Sequence, residues 1–496
     1  MSKDSRLIIV SNRLPMTFEI APDRVELKPS AGGLVAALGP IVKESGAAWV
    51  GATGTSFDAA IEDLLAELAN QRLIPVYLTD REMQNFYNGF ANEILWPLFH
   101  DLQSRCNFQP QYWHCYREVN EKFALAADSI ASDDDVVWVH DYHLMLLAEA
   151  FREVSIARPR MAYFHHIPFP ALNIFQKLPW RAQILRALLR FDLVLFQTAG
   201  DATNFVECVK SCLKDEACVE RLQVYHLLTY ADREAIATSL PISIDFESLA
   251  ADAADPAVAR LAETLTAQAA GNRLVLGLDR LDYTKGVGYR LQAYQHLLQS
   301  SPECHGKVSF WQITIPSRES IPQYKRLKEE VEALVTAIND EFGTRDWTPV
   351  TYMYRHLTRT ELLACYCAAD VAMVTPVKDG MNLVAKEYCA ARNDNGGVLI
   401  LSEFAGSASE LGDGALLVNP YDVEGMAAAL KEAFAMAPVE RGMRMVRMRS
   451  RIRGSNVYDW YANFRAALGF ASHRPALASG QGHAQELTKA AGVDNG

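Results

Sequence analysis

No run of apolar residues in this 496-residue chain approaches the ~20 that a bilayer span needs, so a membrane-embedded protein is not expected. Positive charge is short as well: 48 Lys+Arg stand against 60 Asp+Glu, a formal net charge of −12. Duplex nucleic acid is therefore not the expected partner, because phosphate-backbone binding needs a basic footprint. A local basic pocket for a small phosphorylated ligand is compatible with that balance. The nine cysteines at 106, 115, 208, 212, 218, 304, 365, 367 and 389 are odd in number and include no C-x-x-C pair. Neither a disulfide framework nor a zinc ribbon is expected, and Cys365 and Cys367 read as small apolar filler. No long apolar signal segment stands at the N-terminus, and no solenoid-period repeat or charge block occurs. The expectation is a soluble, reduced, cytoplasmic protein, with homo-oligomer formation left open.

What the chain has is a rhythm. Short apolar runs recur at Leu7–Val10, Val136–Val139, Ala162–Phe164, Leu193–Phe196, Leu274–Leu278, Val371–Val374 and Val398–Leu401. Helix-period stretches lie between them, at Ile184–Arg190, Tyr289–Leu298, Tyr324–Phe342 and Glu361–Ala369. Unbroken apolar strands alternating with amphipathic helices predict an α/β fold with parallel sheets covered on both faces. A boundary is expected near Pro241–Asp245, giving two doubly wound halves of similar size, residues 1–241 and 242–470. From 471 the composition turns to Ala, Gly, Ser, His and Gln, and a disordered tail is expected.

Chemistry gathers just after the strands, at Arg13, Asp141, His166, Arg280, Arg318 and Asp379. Open α/β sheets hold ligands beyond the carboxyl ends of their strands. Adjacent Gly32 and Gly33 let backbone N–H groups approach an anion at the start of a helix, although a plain helix-entry turn reads the same way. Arg280 and Lys285, five residues apart in an expected loop, suit a diphosphate that gains charge as it leaves. Two solvated surface charges are the plainer reading. In the segment Asp379-Gly380-Met381-Asn382-Leu383-Val384-Ala385-Lys386-Glu387, glycine permits a tight turn and Asn382 can open a helix whose N–H groups face phosphate. Glu387, one turn in, can accept from a ribose, and Asp379 would lie beside the sugar. His140, Asp141, His143, His165 and His166 follow two apolar strands and fit hydrogen bonding to a polyol. They also leave a metallohydrolase open, but no H-E-x-x-H pair or acid cluster supports one, and no metal ligand is assigned. Tyr87 and Trp96 with Arg13 and Arg318 suit a sugar phosphate, rings on the pyranose and guanidinium forks on the phosphate.

Together these segments resemble glycosyltransferase family 20, the trehalose-6-phosphate synthases. The resemblance runs from about Leu7 to Leu468. It rests on Ser11-Asn12-Arg13, Ser30-Ala31-Gly32-Gly33-Leu34, Trp96-Pro97, His140-Asp141-Tyr142-His143 and His166-Ile167-Pro168-Phe169-Pro170. Arg280-Leu281-Asp282-Tyr283, Lys285-Gly286, the segment from Asp379 to Glu387 and Leu401-Ser402-Glu403-Phe404-Ala405-Gly406 continue it in order. It implies a GT-B fold, two Rossmann-like domains facing across a cleft, the first for the acceptor and the second for the nucleotide sugar. The last helix would pack back on the first domain.

The implied reaction moves glucose from UDP-glucose to glucose 6-phosphate with retention, UDP-glucose being a substrate and no cofactor or metal being needed. Gly32, Gly33, Arg280, Lys285, Met381, Asn382, Leu383, Val384, Ala385, Lys386 and Glu387 match donor positions. Arg13, Tyr87, Trp96, Asp141 and Arg318 match acceptor positions. His166 and Asp379 match residues around the transferred glucose. Asp141, His166, Arg280, Lys285 and Asp379 form the implied catalytic set. One position departs from the pattern: Ala52 stands where the family usually has a tryptophan lining the acceptor pocket, which would open that pocket. A sibling activity uses glycerol 3-phosphate, but Ser11-Asn12-Arg13 and Pro316-Ser317-Arg318 favour glucose 6-phosphate. A metal-dependent hydrolase and a non-catalytic sugar-phosphate sensor are the rival classes.

Overall fold

The structure is a computed structural model that describes residues 5–21, 24–29, 33–53, 65–269, 271–319 and 321–472. Gly32 and the expected tail beyond 472 lie outside them. The chain divides into two units, Met1–Ile242 with Tyr458–Gly496, and Ser243–Val457.

The strands of the first unit are β1 (Leu7–Arg13), the hairpin β2 (Met16–Ala21) and β3 (Arg24–Pro29), β4 (Ala48–Ala52), β5 (Leu73–Val76) and β6 (Val136–His140). β7 (Arg160–Phe164), β8 (Leu193–Phe196), β9 (Ala217–Arg221), β10 (His226–Tyr230) and β11 (Arg233–Ser239) follow. Apart from the hairpin they form one sheet in the order β5-β4-β1-β6-β7-β8-β11-β10-β9. Every pairing from β5 to β11 is parallel. The strands at its centre carry buried apolar runs, as at Leu7–Val10, Val136–Val139, Met161–Phe164 and Leu193–Phe196, as expected where helices cover both faces. β10 and β9 add an antiparallel edge, where half-exposed strands carry polar residues. The last helix, Val457–Ser472, lies against this sheet. Phe464 stacks on Trp138 of β6 with ring centroids 3.7 Å apart, and Trp460 Nε1 donates to the Leu240 carbonyl at 3.3 Å.

The second unit contains β12 (Arg273–Arg280), β13 (Val308–Ile315), β14 (Val350–Tyr354), β15 (Val371–Val374), β16 (Val398–Ser402) and β17 (Leu416–Val418). They form a wholly parallel sheet, β14-β13-β12-β15-β16-β17. Alternation along β12 splits the core in two. Leu274, Leu276 and Leu278 enter one apolar cluster with Cys365 and Cys389, while Val275 enters the other with Leu291 and Phe310. All nine cysteines are free thiols.

Strand order in each sheet reverses at one point. In the first unit β1 leads to β4 and β5 on one side and to β6 on the other. In the second, β12 leads to β13 and β14 on one side and to β15 on the other. A crevice opens at such a switch point, outside the carboxyl ends of the two strands that diverge. Arg13 and Asp141 stand at the ends of β1 and β6, and Arg280 and Asp379 at or after the ends of β12 and β15.

Candidate active site

In the first unit the polar residues after β1 and β6 form one connected group. Arg13 is the last residue of β1 rather than part of the loop expected after Val10. The strand continues because Arg13 still pairs with Ala52 of β4. Gly51 permits this approach, since a Cβ there would run into the backbone of Arg13 and Leu14. Ala52 itself is 4% exposed, so its methyl group is covered rather than lining open space. The Arg13 guanidinium lies 5.3 Å from the ring centroid of Tyr87, and Tyr87 stacks on His143 at 5.8 Å with planes 10° apart. His143 Nδ1 is 4.0 Å from Asp141 Oδ2, and Asp141 Oδ1 accepts the backbone N–H of His166 at 3.3 Å. Asp141 takes a left-handed backbone, φ 75°, held by its own N–H donating to the Phe164 carbonyl at 2.8 Å.

Tyr87 lies on a π-helix, Met83–Leu95, a feature that the sequence pattern did not reveal. Its wider turn lets Asn92 reach the Tyr87 carbonyl at 2.7 Å while accepting from the Tyr142 hydroxyl at 3.1 Å. π-helical insertions concentrate at functional sites. Trp96 begins the next turn but is 4% exposed, packed between His100 and Tyr142. It supports the Tyr142–Leu144 turn and presents no open ring face.

His166 lies between two polar side chains of its own unit. Its Nε2 meets His140 Nδ1 at 3.0 Å and its Nδ1 meets Gln197 Nε2 at 3.4 Å, so both ring nitrogens have protein partners. Burial pulls the imidazole down to about 3, and that of His140 well below its ordinary value, leaving both neutral. The two rings bond to each other rather than facing a common ion. Among the described residues no group of three or more His, Cys, Asp or Glu side chains is placed to hold a metal.

In the second unit Arg280 is the exposed last residue of β12, one step earlier than the loop expected for it. Lys285 closes a single 3₁₀ turn, Tyr283–Lys285. Gly286 follows with φ 67°, pressed so closely on the Thr375 carbonyl that a Cβ would collide with it. That contact brings the Lys285 turn to the end of β15. The Lys285 ammonium donates to Asp379 Oδ2 at 2.5 Å, and Asn382 Nδ2 donates to the same oxygen at 3.0 Å. Asn382, φ 82°, caps the helix Leu383–Ala391 through its Oδ1, which accepts the Ala385 N–H at 3.3 Å. The loop is fastened from below, Asp379 N–H donating to the Phe404 carbonyl at 3.1 Å and Ser407 N–H to the Met381 carbonyl at 2.8 Å.

Two of the expected donor side chains are committed to the protein. Lys386 is buried and paired with Glu410 at 2.6 Å. Glu387 accepts from the Tyr366 hydroxyl at 2.8 Å; burial raises its carboxyl above the usual range, with the Tyr366 bond opposing. Met381 and Ala385 are buried, while Leu383 and Val384 remain partly accessible beside the helix start. Gly33 opens the helix Gly33–Ser45 in the first unit. Arg318, grouped with the acceptor residues in sequence, belongs to the second unit instead. Its guanidinium bonds Asp282 at 2.8 Å and the Tyr324 hydroxyl at 2.6 Å. Burial would raise the Asp282 carboxyl, but Arg318, the Thr284 N–H and Arg280 hold it below its ordinary value.

Sequence reading missed three supports: Gln197 behind His166, Tyr366 behind Glu387, and Arg290 behind Lys285. Arg290 is wholly buried. It pairs with Asp279 at 2.8 Å and donates to Thr375 Oγ1 at 3.0 Å and to the Lys285 carbonyl at 3.2 Å. Among the eight described non-glycine residues with positive φ, three are Asp141, Arg318 and Asn382. Backbone strain of this kind gathers where a site over-determines its geometry.

Arg13, Tyr87 and Asp141 beside the switch point of one parallel α/β sheet, and Arg280, Lys285 and Asp379 beside that of the other, fit the two-domain GT-B class. The model of glycosyltransferase family 20 matches residues 5–469, and the chain belongs to that family. It is 40% identical to the bifunctional trehalose-6-phosphate synthase/phosphatase of Thermoproteus tenax, over 93% of this chain and 63% of that protein. The chain thus spans less than two thirds of that relative's length. It is 39% identical to the trehalose-6-phosphate synthase of Mycobacterium sp. (strain KMS), over 94% of this chain and 96% of the relative. Among solved structures it is similar to the UDP-forming α,α-trehalose-phosphate synthase of Burkholderia xenovorans in complex with glucose 6-phosphate. That match has TM-score 0.84 and 34% identity, covering 94% of this chain and 100% of the other. The E. coli protein bound to UDP-2-fluoro glucose matches with TM-score 0.84 and 33% identity, covering 95% and 100%. No helix among the described residues is long and apolar enough to cross a membrane.

Proposed function

We propose that this chain is a retaining, UDP-forming glucosyltransferase that moves glucose from UDP-glucose to glucose 6-phosphate, releasing UDP and α,α-trehalose 6-phosphate. The observation that carries the reading is family membership across residues 5–469, and the charged residues at the strand ends of both units support it. The relatives' printed names and bound ligands supply the substrates.

The chemical task is to break the bond between the anomeric carbon and the diphosphate while positive charge grows on the sugar. Arg280 and Lys285, with the start of the helix Leu383–Ala391, take up the charge of the departing UDP. Lys285 already shares its charge with Asp379, so the diphosphate competes for that ammonium and Asp379 turns toward the sugar hydroxyls. Arg13 binds the acceptor's phosphate. Asp141 holds its sugar, with Tyr87 beside it. The acceptor hydroxyl forms the new bond on the face that the diphosphate leaves, and its proton passes to a phosphate oxygen of UDP. No protein carboxylate becomes glucosylated. The first unit serves the acceptor and the second the nucleotide sugar.

Two fixed cations at the donor's phosphates make a divalent ion unnecessary. Nine free thiols fit a reducing compartment, which we take to be the cytoplasm. Purified, metal-stripped enzyme given UDP-glucose should release UDP with glucose 6-phosphate, and far more slowly with glycerol 3-phosphate. Activity that returns only when a divalent cation is restored would refute the charge assignment. Preference for glycerol 3-phosphate would refute the acceptor. Trapping of a glucosylated side chain during turnover would refute the front-face route.

A further inference from the structure

Asn92 is 3% exposed and lies on the π-helix Met83–Leu95. Its Nδ2 donates to the Tyr87 carbonyl at 2.7 Å, and its Oδ1 accepts from the Tyr142 hydroxyl at 3.1 Å. A carbonyl can only accept, so the amide has one orientation. Both partners adjoin the residues that match acceptor positions. Tyr142 follows Asp141 directly, and its carbonyl is held in turn by the buried Tyr116 hydroxyl at 2.7 Å. Tyr87 carries the ring that stacks on His143 and meets the Arg13 guanidinium. Asn92 thus ties the helix that bears Tyr87 to the turn that begins at Asp141.

The tie also bears on the helix itself. A π-helix is rare and appears mostly as single turns within α-helices, often at functional sites. Here α-helical turns stand on both sides, at Asp80–Glu82 and Trp96–Phe99. In an α-helix a short polar side chain reaches back to the carbonyl of residue i−4. Asn92 reaches back to that of i−5, and at the end of the segment the Trp96 N–H likewise donates to the Ala91 carbonyl. A side chain that bonds across this span favours the wide turn over the α-helical one. Return to α-helical turns would re-aim the side chains of the segment, because each backbone bond would span one residue fewer. We propose that Asn92 is a positioning residue for the acceptor: its amide holds the wide-turn register and so keeps the Tyr87 ring on His143, beside Asp141. It acts through Tyr87, which is half-buried where Asn92 is covered. The link to the acceptor rests on the function proposed above; the register does not.

Asn92→Leu alone would strand the Tyr142 hydroxyl, so the test combines it with Tyr142→Phe, which removes both polar groups. This double variant should melt within about 3 °C of wild type. Its KM for glucose 6-phosphate should rise about tenfold, while kcat and KM for UDP-glucose change less than about threefold. Tyr142→Phe alone keeps the bond to Tyr87 and should raise the same KM by less than about threefold. A crystal structure of the double variant should show residues 83–95 drawn toward α-helical turns and the Tyr87 ring displaced from His143. An unchanged KM for glucose 6-phosphate, both KM values rising together, or a Tyr87 ring still stacked on His143 would overturn the proposal. So would an effect of Tyr142→Phe equal to that of the double variant. If wild-type enzyme glucosylates no sugar phosphate at all, the functional reading fails, and the crystal comparison still decides whether Asn92 holds the register.

Discussion

Arg290 offers the sharpest test of how the Lys285–Asp379 group is held. Its side chain and that of Asp279 are essentially inaccessible, at 0% and 2%, and lie 2.8 Å apart. Arg290→Met removes the cation and leaves a carboxylate in the core. Breaking a buried pair from one side costs about 3–5 kcal/mol. For a unit of this size each kcal/mol moves the midpoint by roughly 2–4 °C, so the transition should fall by about 6–20 °C. The loss should also depend on pH. Burial already raises the Asp279 carboxyl, with Arg290 and then Lys285 opposing, so removing Arg290 raises it further. A carboxyl whose folded pKa lies above its unfolded one contributes stability below the unfolded pKa and loses it as pH rises through the folded value. The gap between wild type and variant should therefore be widest at pH 8 and narrow toward pH 5.

Adding Asp279→Leu removes the stranded charge and should recover much of that loss, since apolar replacement of both partners is near neutral. The double variant still lacks the bond to the Lys285 carbonyl. If that bond positions the Lys285 ammonium, KM for UDP-glucose should rise about 5–30-fold, a loss of roughly 1–2 kcal/mol, in a protein of near-normal stability. Thermal and urea unfolding across pH, with steady-state kinetics on the double variant, test both halves. A single variant that loses under about 2 °C, or loses the same amount at pH 5 and 8, would refute the reasoning.

Arg280→Ala should lower kcat by about 10²–10³ with an unchanged melting temperature, because the side chain is exposed and its work is electrostatic; near-normal turnover of UDP-glucose would remove the diphosphate role. Tyr366→Phe deletes the hydrogen bond that opposes the raised Glu387 carboxyl. Glu387 should then protonate at higher pH, so KM for UDP-glucose should climb on the acid side, and an unaltered pH profile would argue against a ribose contact. Asn382→Ala removes a helix cap and a bond to Asp379, and should cost about 1 kcal/mol in thermal unfolding together with weaker donor binding.

The sheets were legible because a strand buried on both faces leaves a plain mark: four or more apolar residues with no polar alternation, as at Val136–Val139 and Val371–Val374. The ends were less so. β1 runs on through Ser11 and Asn12 to Arg13, and β12 reaches Arg280, because backbone pairing to β4 and β13 continues after side-chain hydrophobicity stops. The antiparallel edge β9–β10 and the π-helix Met83–Leu95 leave no such mark, one being half exposed and the other differing from an α-helix only by hydrogen bonds that span one residue more.

The site shows the same division between what faces solvent and what lies beneath. Arg13, Asp141, Arg280 and Asp379 could be picked out because a charge next to an apolar strand is conspicuous. Gln197 occupies the same position after Leu193–Phe196, yet an uncharged amide there passes for an ordinary strand exit. Its meaning depends on Ile242, 45 residues later, which decides which end of the amide meets His166. Arg290 passes for a solvated helix charge until burial and Asp279 give it a partner. Lys386 shows the converse: it matches a donor position beside the Asp379–Asn382 turn, but the helix turns its side chain inward to Glu410. Proximity in sequence to a ligand-binding turn does not tell which way a helical side chain points. At i and i+4 from Asn382 the same helix presents an N-cap that bonds Asp379 and a cation that serves the core.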